Sequence, residues 1–278
     1  YGDTLAVGAY RESGNQTTIT NDNSTASSNN DSIRSGAVYV YKRTGTTWAQ
    51  EAYVKASNND ASDDYGISVA LYGDTLAVGA YKEESNQTTI TNGTTSSSNN
   101  SSTDSGAVYV YKRTGTTWAQ EAYVKASNNG ALDYFGEGLA LDGDTLAVGA
   151  YLEDSSQTTI TNDNSTASSN NSSNDSGAVY VYKRTGTTWD QEAYIKASNN
   201  DANDYFGFSV ALDGDTLAVG AYKEESNQTT YTHVNPTTRC NDSNSRAGAV
   251  YVYKRTGTTR EQEQYIKANN SKTTNGFG

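Results

Sequence analysis

Apolar residues fall along this chain in short alternating runs rather than in stripes three or four residues apart. Ile67-Ser-Val-Ala-Leu71, Thr75-Leu-Ala-Val78, Ala107-Val-Tyr-Val-Tyr111 and Trp118-Ala-Gln-Glu-Ala-Tyr-Val124 are rich in β-branched and aromatic residues and are bounded by Gly, Asp, Asn and Thr. Such runs predict strands, and no segment carries a helical period. Tyr72-Gly73-Asp74 and Asp142-Gly143-Asp144 supply tight turns between a first and a second strand, and Thr114-Gly115-Thr116 supplies a hairpin between a third and a fourth.

The whole set recurs. Gly-Asp-Thr-Leu-Ala-Val-Gly-Ala-Tyr occurs with its carboxylate at Asp3, Asp74, Asp144 and Asp215, a period of about 71 residues. Each copy leads through a polar tract to Gly-Ala-Val-Tyr-Val-Tyr-Lys-Arg-Thr-Gly-Thr-Thr and then to a segment like Trp48-Ala-Gln-Glu-Ala-Tyr-Val-Lys55. Four antiparallel strands repeated at a fixed period predict an all-β fold, a β-propeller built as one repeat domain over 1–278. Its blades fall near 1–65, 66–135, 136–206 and 207–278. The Ser/Thr/Asn-rich insertion between the second and third strands, residues 82–105 in the second copy, accounts for the excess over an ordinary blade of about 40–45 residues. Small residues alternating through Leu-Ala-Val-Gly-Ala suit a strand against which another sheet comes close.

The Phe-Gly pairs Phe135-Gly136, Phe206-Gly207 and Phe277-Gly278, with Tyr65-Gly66 as a variant, precede Gly-Ala-Tyr strings at Gly8 to Tyr10, Gly79 to Tyr81, Gly149 to Tyr151 and Gly220 to Tyr222. In these elements the chain resembles the FG-GAP repeats of integrin α-subunit propellers and bacterial surface proteins, with Gly-Ala-Tyr where that family has Gly-Ala-Pro. The resemblance implies an extracellular or cell-surface propeller used for adhesion or ligand binding, usually with seven blades. Integrin-like blades often carry a calcium loop, Asp-x-Asp/Asn-x-Asp-Gly-x-x-Asp. Between Gly207 and Gly220 only Asp213 and Asp215 stand, and Tyr72 replaces the first of them in the second repeat. The usual calcium loop is therefore absent, no cofactor is expected, and Asp3, Asp74, Asp144 and Asp215 read as turn carboxylates. The clusters Asp60/Asp63/Asp64 and Asp201/Asp204 read as solvated loops that hold a cation weakly at most.

Composition narrows the partners. Only 34% of the 278 residues are hydrophobic, which predicts a thin or subdivided core, and a formal charge of −12 repels phosphate backbones and anionic lipid. Nucleic acid is not an expected partner, and no run approaches the roughly 20 apolar residues of a membrane span. The insertions carry most of the Asn-x-Ser/Thr acceptors, at Asn15, Asn23, Asn30, Asn86, Asn92, Asn99, Asn164, Asn171, Asn174, Asn227 and Asn241, candidates for glycosylation in a secreted protein. Gln-Thr-Thr-Ile-Thr returns in three insertions, and Gln-Thr-Thr-Tyr-Thr in the fourth, which predicts an added edge strand.

Chemistry is sparse. His233 and Cys240 occur once each, both in the fourth insertion, with no nucleophile elbow, phosphate-binding loop or zinc-ligand spacing nearby. Tyr39/Tyr41, Tyr109/Tyr111, Tyr180/Tyr182 and Tyr251/Tyr253 alternate with Val and read as blade-to-blade core, with a sugar-stacking platform as the sharper alternative. Trp48, Trp118 and Trp189 are equivalent, and Arg260 breaks their series.

The chain opens on Tyr1 without a leader, as a processed product or a piece of something longer would. Its last repeat stops where the first repeat's missing strand begins, making Tyr1, Phe277 and Gly278 a candidate subunit junction. The expected function is non-enzymatic: an extracellular or cell-surface adhesion or structural module that associates with itself, a cell-surface protein or a glycan. The alternative is a lectin-like propeller with one sugar site per blade.

Overall fold

In a computed structural model the described residues are 1–22, 29–163, 167–227, 232–233 and 245–278. They fold entirely as strands, turns and loops, with no helix among them. Consequently none of them belongs to a helix long and apolar enough to cross a membrane.

Each repeat makes one antiparallel sheet. The first contains β1 (Thr4–Ala9), β2 (Ala37–Thr44) and β3 (Thr47–Val54). The second contains β4 (Ser68–Tyr72), β5 (Thr75–Ala80), β6 (Thr91–Asn92), β7 (Ala107–Thr114) and β8 (Thr117–Val124). In the third are β9 (Leu139–Asp142), β10 (Thr145–Ala150), β11 (Ala178–Thr185) and β12 (Thr188–Ile195). The fourth holds β13 (Phe206–Asp213), β14 (Thr216–Ala221), β15 (Thr232–His233), β16 (Ala249–Thr256) and β17 (Thr259–Ile266).

Four strands per repeat were expected, and the first sheet has three because the strand equivalent to β4 would precede Tyr1. The edge strand expected from the Gln-Thr-Thr tract is present as the two-residue β6 and β15, which pair with the outer strands β8 and β17. In the first and third repeats the same tract makes single bridges, Thr20 to Tyr53 and Thr161 to Tyr194.

Alternation decides which neighbour each side chain meets. Val38 and Val40 of β2 face forward onto Leu76, Val78, Tyr109 and Tyr111 of the second sheet. Val108 and Val110 do the same against Leu146, Val148, Tyr180 and Tyr182, and Val179 and Val181 against Leu217, Val219, Tyr251 and Tyr253. Tyr109/Tyr111, Tyr180/Tyr182 and Tyr251/Tyr253 are therefore inter-sheet core, as their alternation with Val predicted, whereas Tyr39 and Tyr41 on the outer face of the first sheet are only half-buried. Three thin apolar cores separate four sheets, so each repeat buries its faces against its sequence neighbours. No apolar cluster, hydrogen bond or ion pair among the described residues joins the fourth sheet to the first.

The outer faces differ accordingly. Leu5 and Val7 are 46% and 43% exposed, whereas Leu76, Val78, Leu146 and Val148 are fully buried. On the far side Val250 and Val252 are half-buried, and Gln264 stands where Ala52, Ala122 and Ala193 pack in the earlier sheets.

Candidate binding surfaces at the sheet junctions

The Phe-Gly and Gly-Ala-Tyr elements meet across the junctions. Gly136 N donates to Gly149 O of its own repeat at 2.9 Å, while Phe135 N donates to Ser105 O of the preceding one at 3.1 Å. The Gly136 carbonyl presses on Gly79, so a Cβ there would overlap it. Tyr65-Gly66 sits the same way on Gly36 and Gly8, Phe206-Gly207 on Gly177 and Gly149, and Phe277-Gly278 on Gly248 and Gly220. Phe135 and Phe206 are fully buried, and Phe277 is half-buried. Of the candidate junction residues, Phe277 and Gly278 thus pack against the fourth repeat's own glycines, and Tyr1 stacks on Tyr72 of the second with ring centroids 4.6 Å apart.

A second latch comes from a bulge. In β3 the pairing passes from Val40–Ala52 to Tyr41–Gln50, leaving Glu51 as the extra residue, and the same shift recurs in β8, β12 and β17. A bulge re-aims a side chain out of the strand's alternation. Glu51 reaches the second sheet, where its Oε2 accepts from Arg113 Nη1 at 3.0 Å and from Trp118 Nε1 at 3.2 Å. Glu121 repeats this with Arg184 at 3.3 Å and Trp189 at 2.9 Å. Arg113 also lies over the Trp118 ring, 5.3 Å from its centroid. Each of these arginines binds its own repeat's turn carboxylate as well: Arg43 with Asp3, Arg113 with Asp74, Arg184 with Asp144 and Arg255 with Asp215. Among the described residues no group of three or more His, Cys, Asp or Glu is arranged around a common metal position.

The insertions clamp the next sheet. Asn21 Nδ2 donates to Trp118 O at 3.0 Å and Asn21 Oδ1 accepts from Trp118 N at 2.7 Å. Asn92 holds Trp189 identically, and Asn162 holds Arg260. Between clamp, tyrosine and bulge lies a groove, with Thr17, Ser57, Tyr111 and Trp118 at the first junction and Thr88, Ser127, Tyr182 and Trp189 at the second. At the third the equivalents are Thr158, Ser198, Tyr253 and Arg260. Cavity volumes are about 230, 230 and 350 Å³ in that order.

Beneath the grooves runs a polar spine that sequence reasoning missed. Lys125 is buried and its Nζ donates to Glu83 at 2.7 Å and Ser105 at 2.9 Å. Lys55–Glu12, Lys196–Glu153 and Lys267–Glu224 are its equivalents. Asn58 carries the network across by donating to Glu83 at 3.0 Å while accepting from Tyr109. A lysine directly after the last strand and a glutamate shortly after Gly-Ala-Tyr, recurring in all four copies, were the available signal.

Asp63 and Asp64 correct the expectation of a solvated acidic loop. Both are buried, as is Asp204, because the loop folds under the preceding sheet: Asp64 accepts from Arg34 Nε at 3.1 Å and Nη2 at 2.7 Å. Burial, reinforced by Glu83 and Asp60, pushes the Asp63 carboxyl up to about 8, and burial beside Glu153 pushes Asp133 to about 7.

Tyr81, Tyr134, Tyr151, Tyr205 and Tyr222 form a half-buried aromatic row with successive centroids 5.0 to 5.8 Å apart. Tyr134 and Tyr205 adopt φ of 57° and 60°, a strained left-handed conformation for so bulky a residue. Phe208, 39% exposed, joins the row against Tyr151 and Tyr222. Tyr10, the equivalent residue of the first repeat, instead carries Arg11 over its ring, 5.2 Å from the centroid.

The acceptor asparagines Asn15, Asn30, Asn86, Asn92, Asn99, Asn171, Asn174 and Asn227 are all exposed. Asn23, Asn164, Asn241 and Cys240 lie outside the described residues, and of His233 only the strand backbone is described.

A search of curated proteins finds no match to this chain. The FG-GAP repeat family model, by contrast, matches residues 48–111, 118–182 and 189–233, more than half of the chain. Each match opens on a tryptophan that the structure places at the start of an outer strand, Trp48, Trp118 or Trp189. Together with the interlocked Phe-Gly and Gly-Ala-Tyr elements, this match shows that the chain belongs to the FG-GAP repeat family.

Proposed function

We propose that the protein is a non-enzymatic adhesion or structural module of the cell surface or extracellular space, a row of propeller blades that associates with further copies of itself. Membership of the FG-GAP repeat family supports an integrin-like, adhesion-type module. Self-association is carried by one observation: the first sheet leaves uncovered the surface that every later sheet buries. Trp48 is 45% exposed against 1% for Trp118 and 0% for Trp189, and Leu5 and Val7 flank it. The fourth sheet offers a forward face of Val250, Val252 and Ile266, matching the Val38, Val40 and Val54 that cover the second sheet's Trp118 and Leu76. Apolar faces of this kind drive association. The two surfaces are complementary rather than alike, so the contact is head-to-tail and generates rings or filaments. The exposed acceptor asparagines on the insertions are candidate sites for a glycan coat. The reading needs neither metal nor cofactor.

Electron microscopy of the 278-residue chain tests it: rings or filaments with a repeat of four sheets are expected, and isolated four-sheet particles at high concentration would refute it.

The aromatic row favours a second reading, a lectin-like surface on which sugar rings stack along Tyr81, Tyr134, Tyr151 and Tyr205. Saturable binding of a neutral oligosaccharide, lost on Tyr134→Ala, is the expected result. Binding that survives this change would exclude the row.

A further inference from the structure

The third junction groove differs from the two before it in one decisive side chain. Where the first and second place the neutral indoles of Trp118 and Trp189, the third places Arg260, 1% exposed and fixed through its main chain by Asn162. The added charge brings no carboxylate of its own and shares Glu192 with Arg255. Glu192, the bulge residue of that junction, already accepts from Arg255 Nε at 2.9 Å and Nη2 at 2.6 Å, and its other oxygen forms an ion pair with Arg260 Nη2 at 3.6 Å, too long for a hydrogen bond. At the second junction Arg184 lies 5.6 Å from the Trp189 ring centroid, whereas here Arg255 faces another guanidinium.

Nε, Nη1 and Nη2 of Arg260 are all buried without a hydrogen-bond partner. Ser198 Oγ, Tyr253 Oη and Gln262 Nε2 around the same cavity are likewise buried and unpartnered. Lys196 also lines the cavity but is bound to Glu153 at 2.6 Å, and Glu261 stands exposed at the mouth. Apart from Glu192 Oε2, an acceptor also left without a hydrogen bond, the guanidinium, amide and hydroxyls left over are chiefly donors, and the cavity, about 350 Å³, lies within the range of small-ligand pockets. A planar fork of N–H groups matches the two oxygens of a carboxylate or sulfate. Thr158 and Thr159 add hydroxyls beside it.

We propose that the third groove binds one acidic sugar per chain, its carboxylate or sulfate accepting from Arg260 and its hydroxyls meeting Ser198, Gln262 and the threonines. The site is separate from the sheet faces proposed for self-association and from the aromatic row, so it stands or falls independently of both readings.

Calorimetry with glucuronate, glucose 6-sulfate and uncharged glucose tests the assignment. Expected are one site per chain for an acidic sugar, no binding of glucose, and at least a tenfold weaker affinity in Arg260→Trp, which restores the residue of the other repeats. The stronger of the two acidic ligands identifies the anionic group. Trp189→Arg, which sets the same guanidinium in the second groove, is expected to raise the stoichiometry from about one to about two. Failure of both acids to bind at millimolar concentration, equal binding of glucose, or unchanged affinity in Arg260→Trp would overturn the site. A stoichiometry that stays at one in Trp189→Arg would overturn the role given to the guanidinium.

Discussion

Gly149 lies so close against the main-chain carbonyl of Gly207, in the next repeat, that a side chain at Gly149 would overlap that oxygen. The two glycines come from the Gly-Ala-Tyr of one repeat and the Phe-Gly of its successor. Their contact is what sets one sheet flat against the next.

Gly149→Ala must push the Gly207 carbonyl away and open the core beneath it, since a backbone oxygen cannot swing aside as a flexible side chain can. Overpacking of this kind costs about 1–3 kcal/mol. Gly115→Asn, in an open hairpin turn at φ 66°, has room and a tolerated conformation and should change stability by less than about 1 kcal/mol. Urea unfolding of the two variants checks the contrast.

The Lys125–Glu83 pair is buried at both ends and bridges the residue that follows a repeat's last strand to the start of its insertion. Replacing only Lys125 by Met strands a carboxylate in the interior and should cost about 3–5 kcal/mol. Lys125→Met combined with Glu83→Leu should cost less than the sum of the two single changes, because each single change strands a lone charge and the double change leaves none. A double-mutant cycle reads this coupling directly.

Asp63 and Asp133 tie stability to pH. Their folded pKa values, about 8 and about 7, lie above the ordinary 3.8, so the folded chain holds protons that the unfolded chain releases between pH 4 and 8. Stability is full below that window and falls as pH rises through it, by at most about 1.4 kcal/mol per pH unit for each group. Around Asp63 stand Glu83, Asp60 and Glu84, with Lys55 and Lys125 as the cations that feel it. Denaturant midpoints should decline from pH 5 to pH 8, and Asp63→Asn should flatten part of that decline. A rise over this range in the unaltered chain would contradict the assignment.

Equivalent tryptophans should differ in cost. Trp118→Ala removes a fully buried indole and its bond to Glu51 and should destabilise by about 3–5 kcal/mol. Trp48→Ala removes an indole with no sheet behind it and should change the stability of the dispersed chain by less than about 1 kcal/mol. Thermal unfolding at low protein concentration distinguishes the two.

The strands were legible because their side chains alternate and their turns carry Gly and Asp: β7 and β8 fall where Ala107 to Tyr111 and Trp118 to Val124 placed them. The tyrosine pairs were read as core for the same reason. Glu51 was hidden, since a bulge removes it from the alternation that made its neighbours readable. Asp63 was misread because a polar loop between strands resembles a solvated one until the sheet that covers it is in place. Nor does a local pattern reveal the aromatic row, whose members belong to different repeats. The break at Arg260 was visible in the sequence, but only the crowding of Arg255 and Arg260 around Glu192 shows what it changes.

The central claim, that the uncovered first and fourth sheets join copies of the chain, is tested most directly by sedimentation velocity across a wide concentration range, with Val7→Lys as the comparison. The account predicts that the unaltered chain grows in mass with concentration and that Val7→Lys, charged at the centre of the exposed face, stays at the mass of one chain. A single-chain mass for the unaltered protein at the highest concentration, or equal growth in the variant, would contradict it.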